Sequence, residues 1–188
     1  PHLVDICYKI RKKGDRFYGQ AGNYDINPQK YIKLGVGGIK ISENITEFCM
    51  IKDENTGLMW EIKSKNKIDI NYSERKYNYQ EALNYIDRLN QESYGGFSDW
   101  RLPNKEELRS IVKYGDEDLA IHEEYFPNTK PDFYWSKDVY GADTKLMWGI
   151  YFGYGCGIAY SKEQRFCVRA VRDGYNQSFG DAEKINFV

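Results

Sequence analysis

The residue types best suited to ligand binding gather in the second half of the chain. Tyrosine occurs 17 times in 188 residues, and between positions 134 and 165 tyrosines are interspersed with lysines and an arginine. A tyrosine ring can stack on a sugar or pack against a protein, and a cationic side chain can pair with sulfate or carboxylate. The alternative is that each of these residues is an ordinary solvent-exposed side chain at the rim of a structural sheet. We predict a ligand-binding surface formed by Lys137, Tyr140, Tyr151, Tyr154, Tyr160, Lys162 and Arg165.

No combination of residues predicts catalysis. The Gly-Val-Gly-Gly sequence at 35–38 lacks both a following helix and a Walker lysine, and the Gly-Tyr-Gly-Cys-Gly sequence at 153–157 lies between predicted strands. His122 has no cysteine or serine nearby in a recognisable triad. Glu123 and Glu124 could act as an acid pair, but adjacent glutamates are common in loops. We therefore predict a non-enzymatic protein that needs no cofactor.

The overall composition argues against several classes of partner. A formal net charge of -1 gives no electrostatic reason to bind nucleic acid. The sequence has no run of about 18 apolar residues, which is the length that predicts a membrane-spanning helix. The Asp-Glu-Asn sequence at 53–55 is too small a set of oxygen ligands for calcium, which takes about six to eight. We expect a hairpin turn there, no metal site, no nucleic-acid partner and no membrane insertion.

Four cysteines allow two disulfides in three connectivities. Cys156 and Cys167 could face each other across a hairpin, which would leave Cys7 to pair with Cys49. Free buried thiols are the alternative. The spacing contains no metal-binding Cys-x-x-Cys pair.

Two helices can be predicted from their first residues. Asn78 is followed by Glu81, and Asn104 by Glu107, and both pairs have the spacing of a capping box, in which the two residues bond each other's backbone. Apolar residues then recur at helical spacing. Gly115 has the position of a glycine that ends a helix. The predicted helices cover residues 78–90 and 105–114.

Short apolar runs between turn residues predict strands, and together with the helices they indicate an α+β domain. Four tryptophans in strand-like sequences, Trp60, Trp100, Trp135 and Trp148, are predicted to lie in the core. Arg101, Arg169 and Arg172 are predicted members of buried ion pairs, with Asp99 as one partner. Strands are predicted over residues 48–52, 58–63, 133–140, 147–152, 157–160 and 166–172.

Four sequence phrases carry a resemblance to a known family. The first lies at 95–115 and begins Gly-Gly-Phe-Ser-Asp-Trp-Arg-Leu-Pro-Asn, and the others lie at 53–61, at 125–129 with 134–136, and at 168–172. In this order they resemble the bacterial family that includes the C-terminal domain of the collagen-like adhesin Lcl. The resemblance implies a C-type-lectin-like fold, with two helices on small antiparallel sheets, long loops, and adjacent first and last strands.

The resemblance also implies a domain organisation and a function. The domain is expected over residues 46–173, with residues 1–45 as a lead-in packed on it and 174–188 as a linker tail that may precede another copy. We expect an adhesin-like or lectin-like domain, extracellular, surface-bound or periplasmic, that recognises a glycan or a protein. The calcium-lectin tripeptides Glu-Pro-Asn and Gln-Pro-Asp do not occur. A structural spacer and an oxidase of the formylglycine-generating type are the alternatives, and the oligomeric state is left open.

Overall fold

The structure, a computed structural model, describes residues 3–4, 28–114 and 118–174. These residues form two four-stranded antiparallel sheets and two α-helices, which confirms the predicted α+β class. The helices are α1 (Tyr79–Gln91) and α2 (Lys105–Ser110). The C-type-lectin-like assignment stays a prediction. The strands are β1 (Leu3–Val4), β2 (Tyr31–Leu34), β3 (Met50–Asp53), β4 (Leu58–Glu61), β5 (Phe133–Val139), β6 (Leu146–Tyr151), β7 (Cys156–Ser161) and β8 (Val171–Asp173).

The strands follow the order β1-β7-β6-β5 in the first sheet and β2-β3-β4-β8 in the second. The expectation that the first and last strands are adjacent is wrong for the described strands, because β1 pairs with β7 and β8 pairs with β4. The segment at 166–173 crosses between the sheets: Cys167 bridges to Tyr134 of β5, and Val171 pairs with Trp60 of β4. This crossing also explains why the strand predicted over 166–172 is short.

Both capping boxes are present. The Asn78 and Asn104 side chains each accept a hydrogen bond from the backbone of the glutamate three residues later, and that glutamate bonds back. Helix α2 ends at Ser110, earlier than predicted. Beyond it the Lys113 backbone N–H donates to the Ala120 carbonyl at 3.0 Å, so the chain has already left the helix. Gly115, predicted to end the helix, lies outside the described residues.

The predicted lead-in contributes two strands to the fold. Strand β1 lies at one edge of the first sheet and pairs with β7. Strand β2 lies at one edge of the second sheet and pairs with β3 through four residue pairs. Residues 1–2 and 5–27 of the lead-in and 175–188 of the tail lie outside the described residues.

Three of the four tryptophans are in the core as predicted. Trp60, Trp100 and Trp135 are buried. Trp148 is half-buried, so its assignment to the core was wrong. It points toward α2, where the Lys105 ammonium lies 4.4 Å from its ring centroid, and the ring of Tyr140 packs edge-on against it at 5.4 Å. The side chains of α2 and β5 therefore cover Trp148 only in part.

The predicted arginine pairs are partly confirmed. Arg172 is buried and bonds Asp99 through two hydrogen bonds of 2.6 and 2.9 Å. Arg101, which is only half-buried, pairs with Glu107 and with the exposed Asp173. The buried Arg169 guanidinium donates to the Glu61 backbone carbonyl and to the Thr129 hydroxyl, both at 2.7 Å, rather than to the carboxylate that was predicted. Through these two bonds the buried Arg169 side chain joins the backbone at Glu61 to the Thr129 side chain.

Both predicted disulfide pairings are wrong, because Cys49 and Cys167 are free thiols. Cys156 lies opposite Tyr151 on β6, within the β6–β7 hairpin. Cys167 instead belongs to the segment that runs beside β5, so it does not face Cys156 across a hairpin. Cys7 lies outside the described residues.

Candidate ligand-binding surface

The most exposed large aromatic side chain of the described residues is a tyrosine at the tip of the β6–β7 hairpin. Tyr154 is 64% exposed, and its ring centroid lies 5.3 Å from that of Tyr151 in a tilted arrangement. Tyr151 is half-buried against the core cluster that includes α1. The two rings therefore form a tilted pair with one buried side and one open side.

Two glycines fix the turn that presents this pair. Gly155 has φ +70°, and a Cβ atom there would lie 2.4 Å from Val112 Cγ1. A Cβ atom at Gly153 would lie 2.3 Å from the Tyr151 ring. The Gly155 N–H also donates to the Tyr151 carbonyl at 2.8 Å. Because larger residues do not fit without movement, the close packing of this turn requires glycine at both positions.

The same face of the first sheet continues from Tyr151 to Tyr160. Antiparallel register places Tyr160 opposite Met147, and alternation places Tyr151 on the side of Met147. Tyr160 packs against Phe133 and Phe166, with ring centroids 5.0 and 4.7 Å away. Tyr160 is half-buried, so it offers an edge rather than a full ring.

Two of the predicted cations lie at the α1 end of this face. The Lys162 ammonium is 5.8 Å from the Tyr79 ring centroid and is half-buried. Arg165 pairs with Glu81 at 2.7 Å and donates to the Lys76 carbonyl. Arg165 therefore connects the loop after β7 to the start of α1, and its guanidinium already has partners within the protein. We define the tyrosine face as Tyr151, Tyr154, Tyr160 and Lys162.

The structure does not bring all seven predicted site residues together. Tyr140 packs against Trp148, which points away from Met147 and toward α2, so Tyr140 lies on the opposite side of the sheet from Tyr160. Lys137 has an exposed side chain, and its backbone N–H donates to the Pro103 carbonyl just before α2. These two residues are separate from the tyrosine face.

The hydroxyl of the hairpin tyrosine is already protonated at neutral pH at the ordinary tyrosine pKa. Burial raises the pKa of Tyr151 further, and the neighbouring Tyr154 adds to that effect. The Tyr151 hydroxyl therefore stays protonated around neutral pH and can donate a hydrogen bond to a ligand. Together the tyrosine face offers ring surface, a hydroxyl donor and a cation.

Sequence reasoning missed two open cavities of the described chain. One measures about 950 Å³ and the other about 450 Å³, and both are lined by Lys65, Pro127 and Asn128. Their walls come from four separated segments, which no single motif connects. One local signal was available: Asn128 adopts φ +63°, and asparagine is among the few residues that favour this region.

Within residues 3–4, 28–114 and 118–174, no group of three or more histidine, cysteine or acidic side chains is arranged to hold a metal ion. Neither helix of the described chain has the length and apolar character needed to cross a membrane.

The family of the chain follows from comparison with known proteins. The comparison with curated proteins found no match to this chain. Residues 49–172 match the family model described as the Lcl C-terminal domain. The matched range contains both helices and the whole tyrosine face. Because the match covers most of the chain, the chain belongs to the Lcl C-terminal domain family.

Proposed function

We propose that this domain is a non-enzymatic binding module of a bacterial surface or secreted protein, and that it holds a saccharide against the tyrosine face. The observation that carries the proposal is the tilted pair of Tyr151 and Tyr154, in which the outer ring remains 64% exposed. A ring that is both fixed and open to solvent is a platform on which a sugar ring can stack.

The surroundings of the pair support a binding role. Gly153 and Gly155 hold the turn without side chains that would cover the rings. A rigid platform loses little conformational entropy when it binds. Lys162 at the far end of the face adds a positive charge that suits a sulfate or carboxylate on the sugar. The net charge of -1 makes this attraction local rather than general.

A glycan array followed by titration tests the proposal. We expect wild-type protein to bind at least one neutral or anionic oligosaccharide, and Tyr154→Ala to weaken that binding by about tenfold or more, since it removes a stacking surface. Tyr154→Phe should retain most of the affinity because it keeps the ring.

Tyr140→Ala is the matched control, since Tyr140 lies with Trp148 on the other side of the sheet. Its affinity for the oligosaccharide should equal that of wild type. Absence of binding across the array, or equal affinity of Tyr154→Ala and wild type, would contradict the proposal.

A further inference from the structure

The two open cavities adjoin and form one groove on a different part of the molecule from the tyrosine face. They share Lys65, Pro127 and Asn128, and their volumes are about 950 and 450 Å³. We call this feature the acidic groove. Its described lining comes from residues 46–49, 62–65, 68–74, 92, 94, 123 and 127–130.

The floor of the acidic groove is held by internal hydrogen bonds. The Asn71 amide donates to the Ile62 carbonyl at 2.6 Å and to the Tyr94 hydroxyl at 3.1 Å. The Tyr94 hydroxyl lies 2.9 Å from the Cys49 carbonyl, to which it donates. Across the groove, the Asn128 amide donates to the Lys63 carbonyl at 2.7 Å. Because these bonds join separate segments, the groove is preformed.

Negative charge dominates the rim. Two of the lining lysines are neutralised locally: Lys63 is buried against the Glu61 carboxylate, and Lys130 is paired with Glu74. Lys65 then stands against four other carboxylates of the lining, and Arg88, outside the lining, lies 3.5 Å from one of them, Glu92. These carboxylates belong to Glu47, Asp69, Glu92 and Glu123. Such a rim favours a cationic ligand.

The most exposed apolar side chain of the groove is aliphatic. Ile68 is 86% exposed, and Ile70 beside it is half-buried. The two aromatic rings of the larger cavity are engaged elsewhere: the Lys33 ammonium lies 5.2 Å from the Phe48 ring centroid, and Tyr94 packs against Trp100 at 5.6 Å. An exposed isoleucine suits an aliphatic side chain better than a sugar ring, which stacks on open aromatic rings.

We propose that the acidic groove binds an extended basic peptide segment of another protein. An aliphatic side chain of the peptide packs on Ile68, and its lysine or arginine side chains meet Glu47, Asp69 and Glu92. Charge complementarity selects the basic sequence, and the exposed isoleucine provides the apolar contact. This proposal goes beyond saccharide binding and uses different residues, so either proposal can fail without the other.

The test uses a fluorescein-labelled peptide of eight residues that alternates lysine and leucine, and a counterpart with glutamate in place of lysine. We expect saturable binding of the basic peptide in fluorescence anisotropy and none of the acidic one. The double variant Glu47→Gln/Glu92→Gln, and separately Ile68→Ser, should each weaken binding by about tenfold. Both sets of residues are exposed, so the fold should be unaffected.

Matched controls come from exposed positions outside the groove, Asp143→Asn for charge and Leu83→Ser for apolar surface. They should bind the peptide like wild type. A second readout uses Cys49, a free thiol in the groove lining. Saturating peptide should slow its alkylation by iodoacetamide, measured by peptide mass mapping.

Three results would overturn the proposal. The first is a lack of saturable binding by the basic peptide. The second is unchanged peptide affinity in both groove variants, or unchanged alkylation of Cys49 at saturating peptide. The third is displacement of the peptide by a neutral oligosaccharide whose own binding is weakened by Ile68→Ser, which would make the groove a saccharide site.

Discussion

Arg172 is the buried charge whose partner is best defined by geometry. Its guanidinium bonds both carboxylate oxygens of Asp99 and lies 3.7 Å from the centroid of the Phe97 ring. The arginine is buried while the carboxylate is half-exposed. The hydrogen bonds with Arg172 lower the pKa of Asp99 below its usual range. The pair therefore stabilises the fold only while Asp99 is ionised.

We expect Asp99→Asn to lower the free energy of unfolding at pH 7 by about 1–2 kcal/mol, because Arg172 loses its counter-charge while solvent still screens the exposed side. A folded-state pKa below the unfolded value means that this stabilisation is complete above about pH 4 and is lost as the pH falls through the folded value. Urea titrations at pH 7 and at several values below pH 4 should show the difference from wild type shrinking with acid.

Asp87→Asn, on the exposed side of α1, is the control and should change stability little at either pH. A difference between Asp99→Asn and wild type that stays constant from pH 7 to pH 2 would mean that the carboxylate charge is not what stabilises Arg172.

Some residue-level interactions could be predicted from the sequence, and others could not. The partnership of Asp99 with an arginine was foreseen, since both lie in recognisable phrases. The network around Glu61 was not. Its buried carboxylate accepts from Lys63 at 2.7 Å, from the Ala170 N–H at 2.7 Å and from the Tyr85 hydroxyl. These partners are up to 109 residues apart, and no local pattern links them.

Among the secondary-structure elements, the β5–β6 hairpin depends on one glycine. Gly149 lies opposite Trp135 in the sheet. A Cβ atom at Gly149 would lie 2.1 Å from the Tyr134 carbonyl oxygen and 2.3 Å from the Phe133 ring. Phe133 in turn packs edge-on against Trp135 at 5.1 Å. The missing side chain is therefore what lets the Phe133 ring lie flat against β6.

We expect Gly149→Ala to destabilise the domain by about 1–3 kcal/mol, because the added methyl group must displace backbone or a buried ring. Thermal or urea unfolding measures this change. Gly141→Ala is the matched control, since a Cβ atom there has nothing within 4 Å. Equal stability of the two variants would show that the hairpin can open locally at little energetic expense.

The elements themselves were largely predictable because their signals are local. A capping box needs only four residues, so both helix starts were found at Asn78 and Asn104. The pairing of strands was not predictable in the same way. The position of β8 beside β4 brings together residues more than a hundred positions apart, and turn composition does not encode it. The same limit hid the acidic groove.

At the scale of the whole molecule, two surfaces of different chemistry are separated by sequence and by fold. The tyrosine face lies on the β6–β7 hairpin and the loop that follows. The acidic groove is built from the loops around β3, β4 and residues 123–130. One offers rings and a cation, and the other offers carboxylates and an aliphatic side chain. Two surfaces of this kind suit two different ligands.

We expect the two proposed ligands to bind independently. The affinity of the basic peptide should be the same with and without saturating oligosaccharide, because the surfaces share no residue. Isothermal titration calorimetry, with either ligand added first, measures both affinities. Tyr154→Ala should weaken only oligosaccharide binding, and Ile68→Ser should weaken only peptide binding. A coupling larger than about fivefold would show that the surfaces communicate or overlap.

The crossing segment at 166–173 has a consequence for biosynthesis. It supplies backbone partners to β5 in one sheet and to β4 in the other, although those strands are made much earlier. While the chain is being synthesised, both sheets therefore stay incomplete until almost the whole domain has been translated. Until then, its unsatisfied strand edges stay available to chaperones.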